Sequence, residues 1–292
     1  MKKRSQSKSF LMAGGLGNQL FILTAGTYYS FLNKENVIFD YSRYANGIPP
    51  HGSDIRSLTP DVIFQYRPFR LIIKSGLHKL SNRVLFHVYT SPGLGYDPAL
   101  ESHILENQIF GYFQTYKYLE DPKVRNVIDS LHLDPVSEWF GRCQSEMIEI
   151  PTISVHIRRG DYVNSQDSFG LLSSEYYNSS LKFILENSSA NYSRVLVFSD
   201  DIDKAKKLFS KIEVSLPVQF AESPENSSEE TLMLMSQSHA LVVSNSTFSW
   251  WAAQIGNKSK FVVCPSKWFR DMLDPEDLIP PEWHQRESRW EI

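Results

Sequence analysis

Cysteine is scarce. Cys143 and Cys264 are the only two in 292 residues, and they form no Cys-x-x-Cys pair, so neither a disulfide framework nor a thiolate zinc site is expected. Long apolar runs are missing as well: no stretch approaches the roughly 20 residues of a membrane-spanning helix. The basic start, Met1 to Lys8, leads only into Ser9–Met12 and then into glycines, too short a run for a signal-peptide core. The expectation is a soluble protein of a reducing cytoplasm, with at most peripheral membrane association. An excess of one charge is also absent. Thirty Lys and Arg stand against 33 Asp and Glu, a formal net charge of −3, so no polyelectrolyte face for nucleic acid exists and any anion site must be local. Clustered hard ligands are lacking too. The nearest candidate, Asp201-x-Asp203, carries Asp203 onto the surface of a helix beginning at Ile202 with no second carboxylate cluster close in sequence, so no metal is expected. The Asn-x-Ser/Thr sequons at Asn178, Asn226 and Asn245 read as by-products of a serine-rich chain. What remains is a globular composition, 41% hydrophobic and 22% charged, at a length that suits two α/β domains.

The densest run of functional groups is residues 151 to 163. Ile153, Val155 and Ile157 alternate with Thr152, Ser154, His156 and Arg158, the period-2 pattern of a strand with two different faces. His156 and Arg158 therefore share a face, and Arg159 starts out on the other. Arg159-Gly160-Asp161 then reads as a turn. Two further apolar runs end in the same way: Arg194 to Phe198 runs into Ser199-Asp200-Asp201, and Ala240 to Val243 into Ser244-Asn245-Ser246-Thr247-Phe248-Ser249. Continuous apolar runs suit strands covered on both faces of a parallel sheet. Parallel strands gather their carboxyl ends on one edge, where one nucleoside diphosphate reaches all three clusters. Plainer roles stay open: surface ion pairs for the arginines, a satisfied core position for His156, and helix caps for Ser199, Asp200 and the Ser244 to Thr247 run.

The first half opens with a short strand from Ser9 to Met12, a glycine turn, and a helix reaching about Leu32. Free N–H groups at that helix start and the small glycines admit a ligand. Val37 to Asp40 is a second buried strand. An acid some 20 residues after a glycine turn is also the dinucleotide-binding pattern, but Leu20 stands where its third glycine is needed. Tyr41 to Pro98 is poorly periodic and rich in basic and aromatic residues, as in Tyr66-Arg67-Pro68-Phe69-Arg70 and His78-Lys79. It suits either an acceptor surface or amphipathic helices on the first sheet. Ile109 to Gln114 alternates as a strand. Asp121 to Ile148 looks helical, interrupted at Pro135, which sets the domains at 1–147 and 148–292.

Four of these segments resemble one family in matching order. His156-x-Arg158-Arg159-x-Asp161 resembles the signature of α1,2-, α1,6- and protein O-fucosyltransferases. Gly15-Leu16-Gly17-Asn18-Gln19, Gly111-Tyr112-Phe113-Gln114 and Ser244-Asn245-Ser246-Thr247-Phe248-Ser249-Trp250-Trp251 resemble blocks of the bacterial α1,2-fucosyltransferases, glycosyltransferase family 11. The resemblance implies a GT-B fold of two facing Rossmann-like domains, acceptor side first and donor side second, with a tail that crosses back. It implies transfer of L-fucose from GDP-β-L-fucose, with inversion and without metal or other cofactor, to the 2-hydroxyl of a galactose in an oligosaccharide. Surface polysaccharide synthesis is the natural setting. Carried over residue by residue, it places Arg158 on the β-phosphate and His156 with an aspartate of the 200/201 pair on guanine. Ser246 and Thr247 fall on phosphate, and Gly15, Gly17, Arg159, Ser244, Asn245 and Phe248 elsewhere in the donor site. Asn18 positions the acceptor hydroxyl, flanked by Gln19, Tyr112 and Gln114. Asp161 is the nearest carboxylate in sequence, with orientation of the arginines as its other role, and the general base stays unassigned. A nicotinamide oxidoreductase and a non-catalytic GDP-sugar-binding protein are the rivals.

Overall fold

The computed structural model describes residues 7–44, 47–49, 53–58, 62, 64–65, 88–134, 136–160, 168–222 and 227–291. Asp161 and the segments Tyr66–Arg70 and His78–Lys79 lie outside the described residues. The chain divides into two compact units, one running to Leu131 and including Pro275–Leu278, the other comprising His132–Asp274 and Ile279–Ile292.

Unit 1 holds a five-stranded sheet in the order β3-β2-β1-β5-β4. The strands are β1 (Lys8–Leu11), β2 (Val37–Asp40), β3 (Phe64–Gln65), β4 (Val88–Thr90) and β5 (Gln108–Phe110), and every pairing is parallel. Helix α1 (Leu16–Asn33) packs along the sheet, and α2 (Pro122–Asp129) packs against α1. Phe10 on the central strand is fully buried, with the rings of Tyr29, Phe39 and Phe113 at 5.9, 6.3 and 6.0 Å. α2 begins where Asp121 accepts hydrogen bonds from the Lys123 and Val124 amides and Pro122 needs no donor.

Unit 2 holds a six-stranded sheet, again parallel throughout, in the order β11-β10-β9-β6-β7-β8. Its strands are β6 (Thr152–Ile157), β7 (Arg194–Ser199), β8 (Val218–Phe220), β9 (Ala240–Val242), β10 (Phe261–Pro265) and β11 (His284–Arg286). Its helices are α3 (Glu138–Glu149), α4 (Ser174–Asn187), α5 (Ile202–Phe209), α6 (Ser228–Ser236) and α7 (Thr247–Gln254). All six residues of β6 are buried. Ile153, Val155 and Ile157 enter the apolar core with Val195, Val197 and residues of α4 and α5, while His156 turns to the opposite face. Trp268 and Trp283 are buried, and Trp290 packs on that apolar core.

Two sequence expectations need correction. The division between units falls at Leu131, ahead of the expected 147, because α3 is fastened to unit 2. Ser137, its N-cap, donates from backbone and hydroxyl to Glu230 at 2.6 and 2.7 Å, and Glu146 pairs with Arg194 at 2.9 Å. The strand expected over Ile109 to Gln114 stops at Phe110. Phe113 takes a left-handed φ of 53°, which no strand accommodates, so the chain turns out of the sheet there.

Candidate functional site

In each sheet the chain leaves the central strand in one direction and later returns to its other side. The order reverses between β6 and β9 in unit 2, and between β1 and β5 in unit 1. In open parallel sheets, ligands bind in the crevice beyond the carboxyl ends of the two strands at such a switch point. His156 to Gly160 and Ser244 to Phe248 flank the crevice in unit 2. Gly14 to Gln19 and Gly111 to Gln114 flank the one in unit 1. Both crevices are therefore lined by the segments that the sequence singles out.

In unit 2 the imidazole Nδ1 of His156 is hydrogen-bonded to Ser244 Oγ at 2.7 Å, and its ring lies 5.5 Å from that of Phe248. Burial, and secondarily the nearby charge of Arg158, lower its pKa to about 3, so it is a neutral group. Ser244, Asn245 and Ser246 are buried, and Thr247 and Phe248 half-buried. Ser246 Oγ caps α7 by accepting from the Phe248 amide at 3.3 Å. Asn245 Nδ2 donates to the carbonyls of Phe169 and Gly170 at 2.9 and 3.2 Å, tying the loop after β9 to the segment that leads into α4.

The two arginines part company after β6 ends. Arg158 stays about a fifth exposed and pairs with Asp200 at 3.0 Å. Arg159 is buried, donates to the Leu172 carbonyl at 2.8 Å and pairs with Glu291 at 2.9 Å. Asp200 also accepts from the amides of Arg159 and Gly160, at 2.8 and 2.9 Å. A Cβ on Gly160 would stand 2.5 Å from its Oδ2. Asp200 thus cradles the turn and orients Arg158. Asp201 is the N-cap of α5 and accepts from the Lys204 amide and ammonium at 3.0 and 2.6 Å. The Lys204 side chain is the main cause of its lowered pKa.

In unit 1, Gly14 has φ of +73°, and a Cβ there would overlap Asn18 Nδ2, so glycine is needed both for conformation and for space. Gly15 is the N-cap of α1, and Gly17 is buried in its first turn. Asn18 is half-buried and accepts from Gln114 Nε2 at 3.0 Å. Gln19 is fully buried: its Nε2 donates to the Gly14 and Ser53 carbonyls, and its Oε1 accepts from the Tyr41 hydroxyl and the Ile55 amide. Its amide is committed to the fold, away from the acceptor role expected of it. Tyr112 is half-buried with its ring 6.0 Å from Phe110. The left-handed backbone at Phe113 costs on the order of 1–2 kcal/mol, which the ring's burial in the core offsets, and it fixes how Tyr112 and Gln114 are presented.

The structure thus gathers His156, Arg158 and the Ser244 to Phe248 run at one switch point, and Asn18 with Gln114 at the other. It assigns Arg159, Asp200, Asp201, Asn245 and Gln19 to intramolecular bonds. The hydroxyl run at the start of α7 extends to Ser249, whose Oγ donates to the Ser246 carbonyl at 3.2 Å and lies 3.4 Å from Ser244 Oγ. Its position three residues after the cap, on the same face of α7, is the signal that locates it. Glu291 gave no local signal. Among the described residues no group of three or more His, Cys, Asp or Glu is placed to hold a metal ion, and no helix is long and apolar enough to cross a membrane.

The chain is 28% identical to an α-1,2-colitosyltransferase of Escherichia coli, over 93% of this chain and 96% of that protein. It is 26% identical to a galactoside 2-α-L-fucosyltransferase of Caenorhabditis elegans, over 59% and 50% respectively. The crystal structure of fucosyltransferase NodZ from Bradyrhizobium superposes with a TM-score of 0.52 at 11% identity, covering 84% of this chain and 92% of that one. The α/β fold with its two parallel sheets is accordingly of the GT-B type. The family model described as glycosyl transferase family 11 matches residues 99–287, and the chain belongs to that family of glycosyltransferases.

Proposed function

We propose that this protein transfers L-fucose from GDP-β-L-fucose to the 2-hydroxyl of a galactose in an oligosaccharide, with inversion at the anomeric carbon and without a divalent metal. The observation that carries the reading is the unit 2 switch point, where one oriented guanidinium, Arg158, stands with a serine-rich helix start. Breaking the anomeric C–O bond leaves its electron pair on the β-phosphate while the sugar becomes oxocarbenium-like. Prepositioned positive charge at that oxygen lowers the barrier, and Arg158 held by Asp200 supplies it. Thr247 and the first N–H groups of α7 bind phosphate. Neutral His156 aligns Ser244 and backs Phe248. In unit 1, Asn18 binds the acceptor hydroxyl, whose oxygen forms the new bond and whose proton leaves to a base or to the departing phosphate. Function in the cytoplasm, in surface polysaccharide assembly, completes the proposal.

A second reading concerns the donor sugar alone. The relative that matches nearly the whole chain is named a colitosyltransferase, and colitose is fucose lacking its 3-hydroxyl. The test supplies GDP-fucose or GDP-colitose with lactose, with and without chelator, and measures released GDP and glycosylated product. The proposal expects the fucosylated disaccharide, undiminished by chelator. Preference for GDP-colitose overturns the donor assignment, and activity lost to chelator and restored by manganese overturns metal independence.

A further inference from the structure

We propose that Gln114 is a positioning residue: it holds the Asn18 side-chain amide turned so that its amine end, rather than its oxygen, is offered to the acceptor hydroxyl. The proposal rests on the reading of Asn18 as the acceptor contact. Gln114 Nε2 donates to Asn18 Oδ1 at 3.0 Å across 96 residues of sequence, from the exit of β5 to the first turn of α1. That bond occupies the oxygen of Asn18. Nδ2, with its two protons, is left over the glycine turn, in the space that a Cβ on Gly14 would need.

Gln114 is itself rigidly held. It is 7% exposed, its backbone amide donates to the Leu94 carbonyl at 2.6 Å, and it follows Phe113, whose ring is locked in the core at a left-handed φ. Yet its own Oε1 is buried without a hydrogen-bond partner. A buried amide with half its capacity unused stabilises a fold poorly, and an apolar side chain of similar shape serves stability as well or better. The residue is therefore explained by what it does to Asn18. An amide's two ends differ only in donating or accepting, so the partner alone decides which end faces the substrate.

The experiment compares Gln114→Met and Gln114→Glu. Methionine fills the space and leaves Asn18 free to turn. A glutamate carboxylate only accepts, so it draws Nδ2 toward itself and presents Oδ1 to the acceptor. The expected order of kcat/KM for lactose is wild type above Gln114→Met above Gln114→Glu, with Gln114→Glu down about a hundredfold. The KM for GDP-fucose stays unchanged in both, and the melting temperature of Gln114→Met is unchanged or higher. Activity of Gln114→Glu relative to wild type should recover as pH falls and the carboxyl regains a donor proton. Gln114→Glu equal to or better than Gln114→Met, or losses that follow melting temperature, overturn the proposal. If the wild type transfers nothing from GDP-fucose, the functional reading fails, and the amide's orientation is still decided by NMR. The Asn18 Nδ2 protons should shift downfield and exchange more slowly in Gln114→Glu than in wild type, and identical behaviour overturns the orientation.

Discussion

Arg158 keeps its guanidinium partly open beside Asp200 while Arg159 is sealed against Leu172 and Glu291, so the same change to lysine should give two different phenotypes. Arg158→Lys retains the charge but loses the planar fork; turnover should fall about a hundredfold to a thousandfold, the usual loss of a donor aimed at developing charge. Its melting temperature should stay near wild type. Arg159→Lys should instead lower stability by about 1.5–3 kcal/mol, the worth of hydrogen bonds to a charged group, with folded protein turning over within a fewfold of wild type. Urea midpoints and steady-state rates on both variants check the pair, and a reversed pattern would make Arg159 the phosphate ligand. His156 makes a separate claim on stability. Its pKa is about 3 in the folded protein against an ordinary 6.5 or so when unfolded. The unfolded chain binds the extra proton between those values, so the stability that neutral His156 contributes is complete above about pH 6.5 and drains away as pH falls toward 3. Urea midpoints measured from pH 7 to 4 should fall more steeply in wild type than in His156→Gln, and equal slopes would count against a buried neutral imidazole.

Between β6 and α4, Gly160 is the point where the chain touches Asp200 too closely for any side chain. Gly160→Ala should push the carboxylate off the two amides it accepts from, release Arg158, and reduce turnover at least tenfold with little change in the helical content seen by circular dichroism. Unchanged kinetics would mean that Asp200 has no part in orienting Arg158. β7 and β9 were plain in the sequence because parallel strands covered on both faces are apolar throughout, and both runs ended in hydroxyls or carboxylates. β3 and β4, short strands inside the poorly periodic Tyr41–Pro98 stretch, and β11 at His284–Arg286 carry no such pattern and were not legible. The assignment of those polar groups was less legible. Asp200 and Asp201 sit side by side after β7, yet one binds a distant turn and the other caps its own helix, and only tertiary contacts distinguish them. Gln19 lies inside the motif that resembles an acceptor loop, but its four bonds go to Gly14, Ser53, Tyr41 and Ile55. The unit boundary was misplaced because α3 has the polar face of a connector, while the anchor of its cap is Glu230, far along the chain.

At the scale of the molecule, the unit that contains Gly14, Asn18 and Gln114 is not a continuous stretch of chain. Pro275–Leu278 belongs to it: the Tyr116 amide donates to the Asp277 carbonyl at 3.0 Å, Lys117 pairs with the Asp277 carboxylate at 2.8 Å, and a Cβ on Gly95 would stand 2.8 Å from Pro275. A fragment of residues 1–131 should therefore exchange its amide hydrogens around Tyr116 faster than the full chain does, and a synthetic peptide spanning residues 272–281 should slow that exchange. Equal exchange in fragment and full chain would show the segment to be dispensable. The same arrangement sets an order of events on the ribosome. The amide of Tyr116 emerges long before its carbonyl partner at Asp277 has been made, an interval on the order of ten seconds or more at ordinary elongation rates. For that time the loop carrying Gln114 lacks its neighbour, and slow codons placed after Asp274 would lengthen the interval.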